Sequence, residues 1–425
     1  MRLTVIILIL FSFLSTSAQF HRRFKNQTLR FDYFHSGNFE DEYIVQDEIL
    51  KEGPWAGPRK NLVDPFDYGS YKLLVFGLKS DKLIYSRGYS SLFIEYQATE
   101  EAKTEWGNFP ESVLLPMPRR PIRLEIHSRR KDMVWNKTFE TTIDPKKDNI
   151  PGPAPAVYPV EVIHNGKNPR KMLDLVFLPE GYTAEEMDKF LHDCHRYRDS
   201  LFATRPFGEY TNKINIRAVM APSEESGTDI PGDSIWRNTL LNSGFYTFGS
   251  ERYLTTDDFK TVRNVAASAP YDQIVILVNH PKYGGGGIYN FYAITTVDDR
   301  NSGFVFTHEF GHSFAGLGDE YQGSGTASAD YYDITKEPWE PNITSLVDFG
   351  AKWKDMLPAG TPVPTPVGDE WQGKLGVFEG AGYMEKGLYR PYLDCSMNII
   401  KFDNFCPVCQ QAIRRMIGYY TGDGW

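Results

Sequence analysis

Cysteine is scarce in this chain, with four in 425 residues. That excludes a small fold held by a disulfide framework instead of a core. A second C-x-x-C to partner Cys406-Pro407-Val408-Cys409 is missing, so spacing alone supplies no complete four-cysteine metal knuckle. Positive charge is in deficit: 46 Lys and Arg against 55 Asp and Glu give a net charge of -9. The clusters Arg119-Arg120 and Arg129-Arg130-Lys131 are too short to build a nucleic-acid footprint, so no nucleic-acid partner is expected. Past the first residues no apolar run is long enough to cross a bilayer, and no transmembrane segment is expected in the mature chain. The run Gly284-Gly285-Gly286-Gly287 is not followed by G-K-[ST], which excludes a phosphate cradle. What remains, 41% apolar and 24% charged, is an ordinary globular composition long enough for two domains.

The first eighteen residues read as a signal peptide. Met1-Arg2 carries a minimal positive end, Leu3 to Leu14 is apolar, and Ser15-Thr16-Ser17-Ala18 is a small-residue cleavage region. The expected location is secreted, periplasmic or at the cell surface. In such an oxidising compartment a bridge from Cys395 to Cys406 or Cys409 is the expected use of those thiols.

From Gln19 to Ile150 short alternating runs are broken by Gly, Pro, Asp and Asn. Leu29–Tyr33, Tyr71–Phe76, Ile122–Ile126, Met133–Trp135 and Lys137–Phe139 read as strands, and residues 19–150 are expected to form an all-β sandwich. His35 and His127 are isolated there and read as packed or surface side chains. Residues 151–161 are a proline-rich linker. Residues 162–425 change to an α/β pattern. Leu173–Leu178, Ile214–Met220 and Gln273–Val278 read as buried strands, and Thr183 with Glu186 as a capping box opening a helix. The glycine run leads into one aromatic strand from Ile288 to Thr295, suited to an edge that pairs with an extended peptide. The loop Ser223–Pro231 is rich in oxygen donors; a capped surface turn is the plainer reading and a Ca²⁺ site the other. Asn26, Asn136 and Asn342 head glycosylation sequons. A final helix is expected from Pro407 to Tyr419.

The chemistry concentrates in His308-Glu309-Phe310-Gly311-His312. Two histidines four apart share one face of a helix and reach one Zn²⁺, and Glu309 between them is placed as general base toward a zinc-activated water. A catalytic zinc needs a third protein ligand. One large class of zinc peptidases continues H-E-x-x-H-x-x-G-x-x-H. Here Gly316 comes one residue late, and Asp319 stands where the third histidine would. Asp319 is the expected ligand, with Glu320 as the alternative and the remaining acid orienting an imidazole N–H. His192, His195 and His280 are not expected to ligate. Met397 is expected beneath the metal, and Tyr383, Tyr389 or Tyr392 to face the oxyanion.

His308 through Tyr321 resembles the bacterial IgA-peptidase family of zinc metallopeptidases. So do Phe177-Leu178-Pro179-Glu180-Gly181-Tyr182-Thr183, Tyr283-Gly284-Gly285, Glu379–Tyr383, Tyr389-Arg390-Pro391 and Cys395-Ser396-Met397. The first half resembles the N-terminal domain that precedes the peptidase, most suggestively at Arg87-Gly88-Tyr89-Ser90-Ser91. The resemblance implies a two-domain α+β chain: a β-sandwich, then a metzincin-like zinc peptidase domain with a twisted mixed sheet and an active-site helix. Zinc would sit on His308, His312 and Asp319, with Glu309 catalytic. The expected activity is hydrolysis of protein or peptide substrates, as an endopeptidase, with no implication that immunoglobulin A is the substrate. The other readings are a zinc-retaining, non-catalytic protein that binds a surface protein or glycan, and a structural protein in which the motif is coincidence.

Overall fold

Alternation of apolar side chains with period two builds the first half. The computed structural model describes residues 19–152, 158–323, 331–399 and 404–424, so the expected signal peptide and the middle of the linker lie outside the described residues. The strands are β1 (Phe24–Gly37), β2 (Glu42–Lys51), β3 (Tyr71–Gly77) and β4 (Leu83–Tyr89). After a short helix, α1 (Leu92–Tyr96), come β5 (Gly107–Pro118), β6 (Ile122–Ser128) and β7 (Asn136–Ile143). They form two antiparallel sheets, in the orders β2-β1-β5 and β4-β3-β6-β7. Tyr71, Leu73 and Val75 of one sheet share a core with Leu29, Phe31, Tyr33, Val113 and Leu115 of the other. This is the expected sandwich. Met133–Trp135 is not strand: Met133 has φ +61° and its N–H donates to the Arg130 carbonyl at 2.9 Å, so the chain turns before β7 begins. His35 is buried, stacked 3.9 Å from the Phe93 ring, with its two nitrogens 2.9 Å from Glu42 and 3.2 Å from Glu111.

The second half contributes β8 (Val160–His164), β9 (Leu173–Glu180), α2 (Met187–Ala203), β10 (Ile214–Val219), α3 (Phe259–Ala266) and β11 (Gln273–Val278). Then come β12 (Gly285–Ile288), β13 (Tyr292–Thr296), α4 (Ser302–Ala315), β14 (Phe378–Ala381), β15 (Met384–Arg390) and α5 (Pro407–Thr421). One six-stranded sheet runs β12-β13-β11-β9-β10-β8. Its four inner strands are parallel, and the two edge strands are antiparallel to them. β9 is buried along its whole length, as a strand covered on both faces must be. Leu173, Leu175 and Phe177 join the core under α2, α4 and α5, while Val176 and Leu178 join the core with α3. The capping box of Thr183 and Glu186 forms as expected and leads into α2.

The aromatic stretch after the glycines is not one strand. β12 turns back at Asn290, which has φ +53°, and β13 follows antiparallel to it. Asparagine tolerates the left-handed region that such a turn needs, and the Asn290 N–H is held by the Ser313 carbonyl at 2.7 Å.

The two halves are joined by buried polar contacts. Arg87, paired with Asp64 at 3.1 Å within the first half, reaches across to the Tyr420 hydroxyl at 2.9 Å, with its guanidinium 4.9 Å from the Tyr419 ring centre. The Ser90 N–H donates to the Tyr289 carbonyl at 2.9 Å, and the Asn290 amide donates to the Gly88 carbonyl at 3.1 Å. The β-sandwich therefore braces the hairpin on which the helix α4 rests.

Candidate active site

The sequence of α4 gives it two working faces. Phe306, Phe310 and Phe314, four apart, stack along one face with ring centres 6.0 and 5.2 Å apart and anchor the helix to the core. Val305, His308, Glu309 and His312 line a cleft of about 860 Å³. Two glycines set how closely the helix is packed. A Cβ on Gly287 of β12 would lie 2.2 Å from the Glu309 carbonyl oxygen, and one on Gly311 would lie 3.1 Å from the Met397 sulfur. Met397 thus sits directly under the turn that carries the motif. The glycine run does admit a close backbone approach, and the approaching backbone is that of α4.

The helix ends at Gly316, whose φ of +64° reverses the chain. Asp319 follows on the returning segment. Its Oδ1 lies 3.2 Å from His308 Nε2 and 3.4 Å from His312 Nε2, and the two Nε2 atoms are 3.1 Å apart. The other ring nitrogens are committed: His308 Nδ1 is 2.8 Å from the Ser396 carbonyl and His312 Nδ1 is 2.6 Å from the Leu317 carbonyl. A carbonyl only accepts, so both Nδ1 atoms carry the proton and both Nε2 lone pairs face each other and a carboxylate. Asp319 Oδ1 is buried and has no hydrogen-bond donor. Three converging electron pairs in a poorly solvated site repel unless a cation, either a proton on one imidazole or a metal ion, sits among them. Zn–N and Zn–O bonds of about 2.0 to 2.2 Å meeting at tetrahedral angles give ligand-to-ligand edges of about 3.3 Å, so these residues fit zinc.

The charges follow the same geometry. Burial pushes the His312 imidazole down, but the Asp319 carboxylate beside it prevails, with Glu309 and the Leu317 carbonyl adding to it, and holds it at about 9. Asp319, despite its burial, is held well below the usual carboxylate range by His312 and His308. Burial raises the Glu309 carboxyl, and the imidazoles offset this only in part. One Glu309 carboxylate oxygen lies within 4.8 Å of a nitrogen on each histidine.

The turn holding Asp319 is fixed from three sides. The Tyr383 hydroxyl donates to Asp319 Oδ2 at 2.6 Å, and the Gly382 N–H donates to the Asp319 carbonyl at 2.8 Å. Asn342 accepts from the Gly318 N–H at 2.8 Å and donates to the Gly318 carbonyl and to Glu320, each at 2.9 Å. Asn342 is fully buried, so its sequon is closed to glycosylation in the folded chain, whereas Asn26 and Asn136 are exposed.

Glu320 points away from the histidines. It is buried, 2.9 Å from the Asn342 amide and 3.3 Å from the Cys409 sulfur. The expectation that the second acid orients an imidazole fails, because backbone carbonyls already hold both rings. Of the three tyrosines considered for the oxyanion, Tyr383 lines the cleft, while Tyr389 and Tyr392 do not. Tyr321, not singled out from sequence, lines it too, with its ring 5.9 Å from that of His308. His192 and His195 lie on α2 beside a different hollow, and His280 packs near Phe245. The acids of the Ser223–Pro231 loop are turned to amides: Asp229 accepts from the Arg237 N–H, and Glu224 and Glu225 both accept from Asn238. That is the capped surface turn. None of the four cysteines is bonded to another, and Cys395 Sγ and Cys409 Sγ are 3.8 Å apart, well beyond the roughly 2.05 Å of a disulfide.

The first half also enters the cleft, which the sequence did not reveal. Ser90, Ile94, Glu95, Ala98 and Thr99 form part of its wall. Glu95 accepts from the Tyr253 hydroxyl at 2.6 Å. Burial raises its carboxyl to about 7, with Tyr253 and His312 lowering it and Glu309 raising it. Only docking of the two halves brings it there, and nothing in the local sequence marks it.

A family model described as IgA Peptidase M64 matches residues 160–374 and 367–417, and one described as Peptidase M64 N-terminus matches residues 19–140. No curated protein matches the chain.

Proposed function

The chain belongs to the IgA Peptidase M64 family of metallopeptidases, and from that premise we propose that it is a secreted, zinc-dependent endopeptidase acting on proteins. The observation that carries the proposal is the triangle of His308 Nε2, His312 Nε2 and Asp319 Oδ1, with edges of 3.1 to 3.4 Å and both Nδ1 protons committed to carbonyls.

Those three atoms would hold the metal. Bound there, zinc supplies a Lewis acid that polarises a scissile carbonyl and makes water a nucleophile near neutral pH. Glu309 supplies the base. Beside the two histidines, its carboxylate is placed to accept the water's proton and return it to the leaving amine. The Ser396 and Leu317 carbonyls fix the imidazole tautomers, and Tyr383 holds Asp319 by its second oxygen. Tyr383 thereby acts as a positioning residue, which leaves Tyr321 as the phenol better suited to meet the developing oxyanion. An extended peptide would lie beside β12, whose Gly285, Gly286 and Gly287 border the cleft. Protein substrates follow from the family. Internal cleavage is supported by a cleft walled by both halves of the chain, and secretion by the Met1–Ala18 segment.

The test combines metal content with turnover on a proteome-derived peptide library. One zinc at this triangle and internal cleavage, lost in Glu309→Ala with the metal retained, is the expected result. Zinc without cleavage of any peptide would move the chain to the binding-protein reading.

A further inference from the structure

A second group of metal-competent side chains lies behind the site. Cys395, Cys406, Cys409 and Glu320 each present one ligand atom, and these four atoms lie within 4.8 Å of one another. All four residues are buried. We propose that this cluster is a closed, four-ligand zinc site of Cys₃Glu type, structural in role and separate from the ion between His308, His312 and Asp319.

The spacing suits one tetrahedral ion. Zn–S bonds of about 2.3 Å put two thiolates about 3.8 Å apart and a thiolate and a carboxylate oxygen about 3.5 Å apart. Cys395 Sγ and Cys409 Sγ are 3.8 Å apart, and Cys409 Sγ is 3.3 Å from Glu320 Oε1. Two of the three sulfurs face backbone N–H groups. The Cys406 N–H points to Cys395 Sγ at 3.3 Å and the Cys409 N–H to Cys406 Sγ at 3.5 Å. Cys406 is the N-cap of the fifteen-residue α5, where the helix dipole favours negative charge.

Glu320 is the independent observation. Its Oε2 is buried with no hydrogen-bond partner. A disulfide would use two of the three sulfurs and leave the third thiol and Glu320 Oε2 without a partner. One divalent ion satisfies all four donors, with the same formal charge as a Cys₄ site. Thiolate softness and tetrahedral spacing favour zinc over magnesium or calcium.

The position gives the site its purpose. Glu320 adjoins Asp319, and its N–H donates to the Met397 carbonyl at 2.8 Å. Cys395 adjoins Ser396, whose carbonyl orients His308. A zinc here would staple three segments together: the turn after α4, the loop under Met397, and the start of α5. It would thus hold the backbone that aims two of the three catalytic-site ligands.

The experiment uses the full mature chain carrying His308→Ala and His312→Ala, so that the outcome is independent of the first metal. Zinc per chain is measured by mass spectrometry of the metal. Thiols are counted in denaturant with chelator and no reductant. One zinc and four reactive thiols are expected, and cobalt loading should give thiolate-to-cobalt charge transfer that Glu320→Gln weakens and Cys406→Ser abolishes. No zinc with two thiols would mean a disulfide, and no zinc with four would mean plain buried thiols; either overturns the site. Zinc retained without the charge-transfer band would place the ion elsewhere and overturn it too. The unsubstituted chain should hold two zinc ions, which checks the count without depending on how the cysteine variants fold.

Discussion

Tyr383→Phe separates two roles open to one phenol in this cleft. The hydroxyl donates to Asp319 Oδ2 over 2.6 Å, while the opposite oxygen, Oδ1, faces both imidazoles. An O–H to carboxylate bond this short is charge-assisted and is worth about 1.5 to 3 kcal/mol. Asp319 is anionic with or without the ion, so only the part of that energy that fixes the carboxylate's orientation enters metal binding. Loss of such an outer contact costs about ten- to hundred-fold in metal affinity. Competition with a chromophoric chelator measures the zinc dissociation constant of both proteins. It should weaken within that range, while kcat at saturating zinc should fall much less than ten-fold. Unchanged affinity with a large fall in kcat would refute the positioning role and make Tyr383 the oxyanion donor.

Replacing the base should leave the metal in place: Glu309→Gln is expected to keep one zinc at the histidines and lower kcat about a hundred- to ten-thousand-fold, checked by metal content and peptide turnover. Gly287→Ala puts a Cβ 2.2 Å from the Glu309 carbonyl; shifting α4 by a fraction of an ångström should cost up to about a hundred-fold in turnover with secondary structure by circular dichroism preserved. In the β-sandwich, burial lowers the His35 imidazole, but Glu111 and Glu42 raise it from 6.5 to about 9. A raised folded value stabilises fully below 6.5 and is lost as pH climbs through about 9, so the shift contributes on the order of 3 kcal/mol that should vanish in alkali. Urea unfolding of wild type and His35→Gln should therefore differ most near pH 6 and converge near pH 10, about one unit beyond the shifted value; a constant difference would contradict the pairing.

Periodicity made the active-site helix readable. The i, i+4 spacing of His308 and His312 and the phenylalanines on the adjoining face state both its direction and its burial, and Gly316 signals the reversal that carries Asp319 back. Other features depended on packing that no local pattern encodes. Ile288 to Thr295 is apolar almost throughout, so one strand was the natural reading. The turn rests on Asn290 at positive φ, held by the distant Ser313 carbonyl. Asp319 and Glu320 are adjacent acids with opposite fates, decided by Tyr383 on one side and by Asn342 and Cys409 on the other. Glu95 joins the cleft only through docking of the halves. Cys406 and Cys409 hinted at a metal knuckle, but its remaining donors come from Cys395 and from Glu320, far away in sequence.

The most direct measurement is anomalous scattering at the zinc edge from crystals grown with the metal. The expected peak lies about 2.0 to 2.2 Å from His308 Nε2, His312 Nε2 and Asp319 Oδ1. Imidazoles turned apart, or no peak between these three atoms, would contradict the proposed zinc centre.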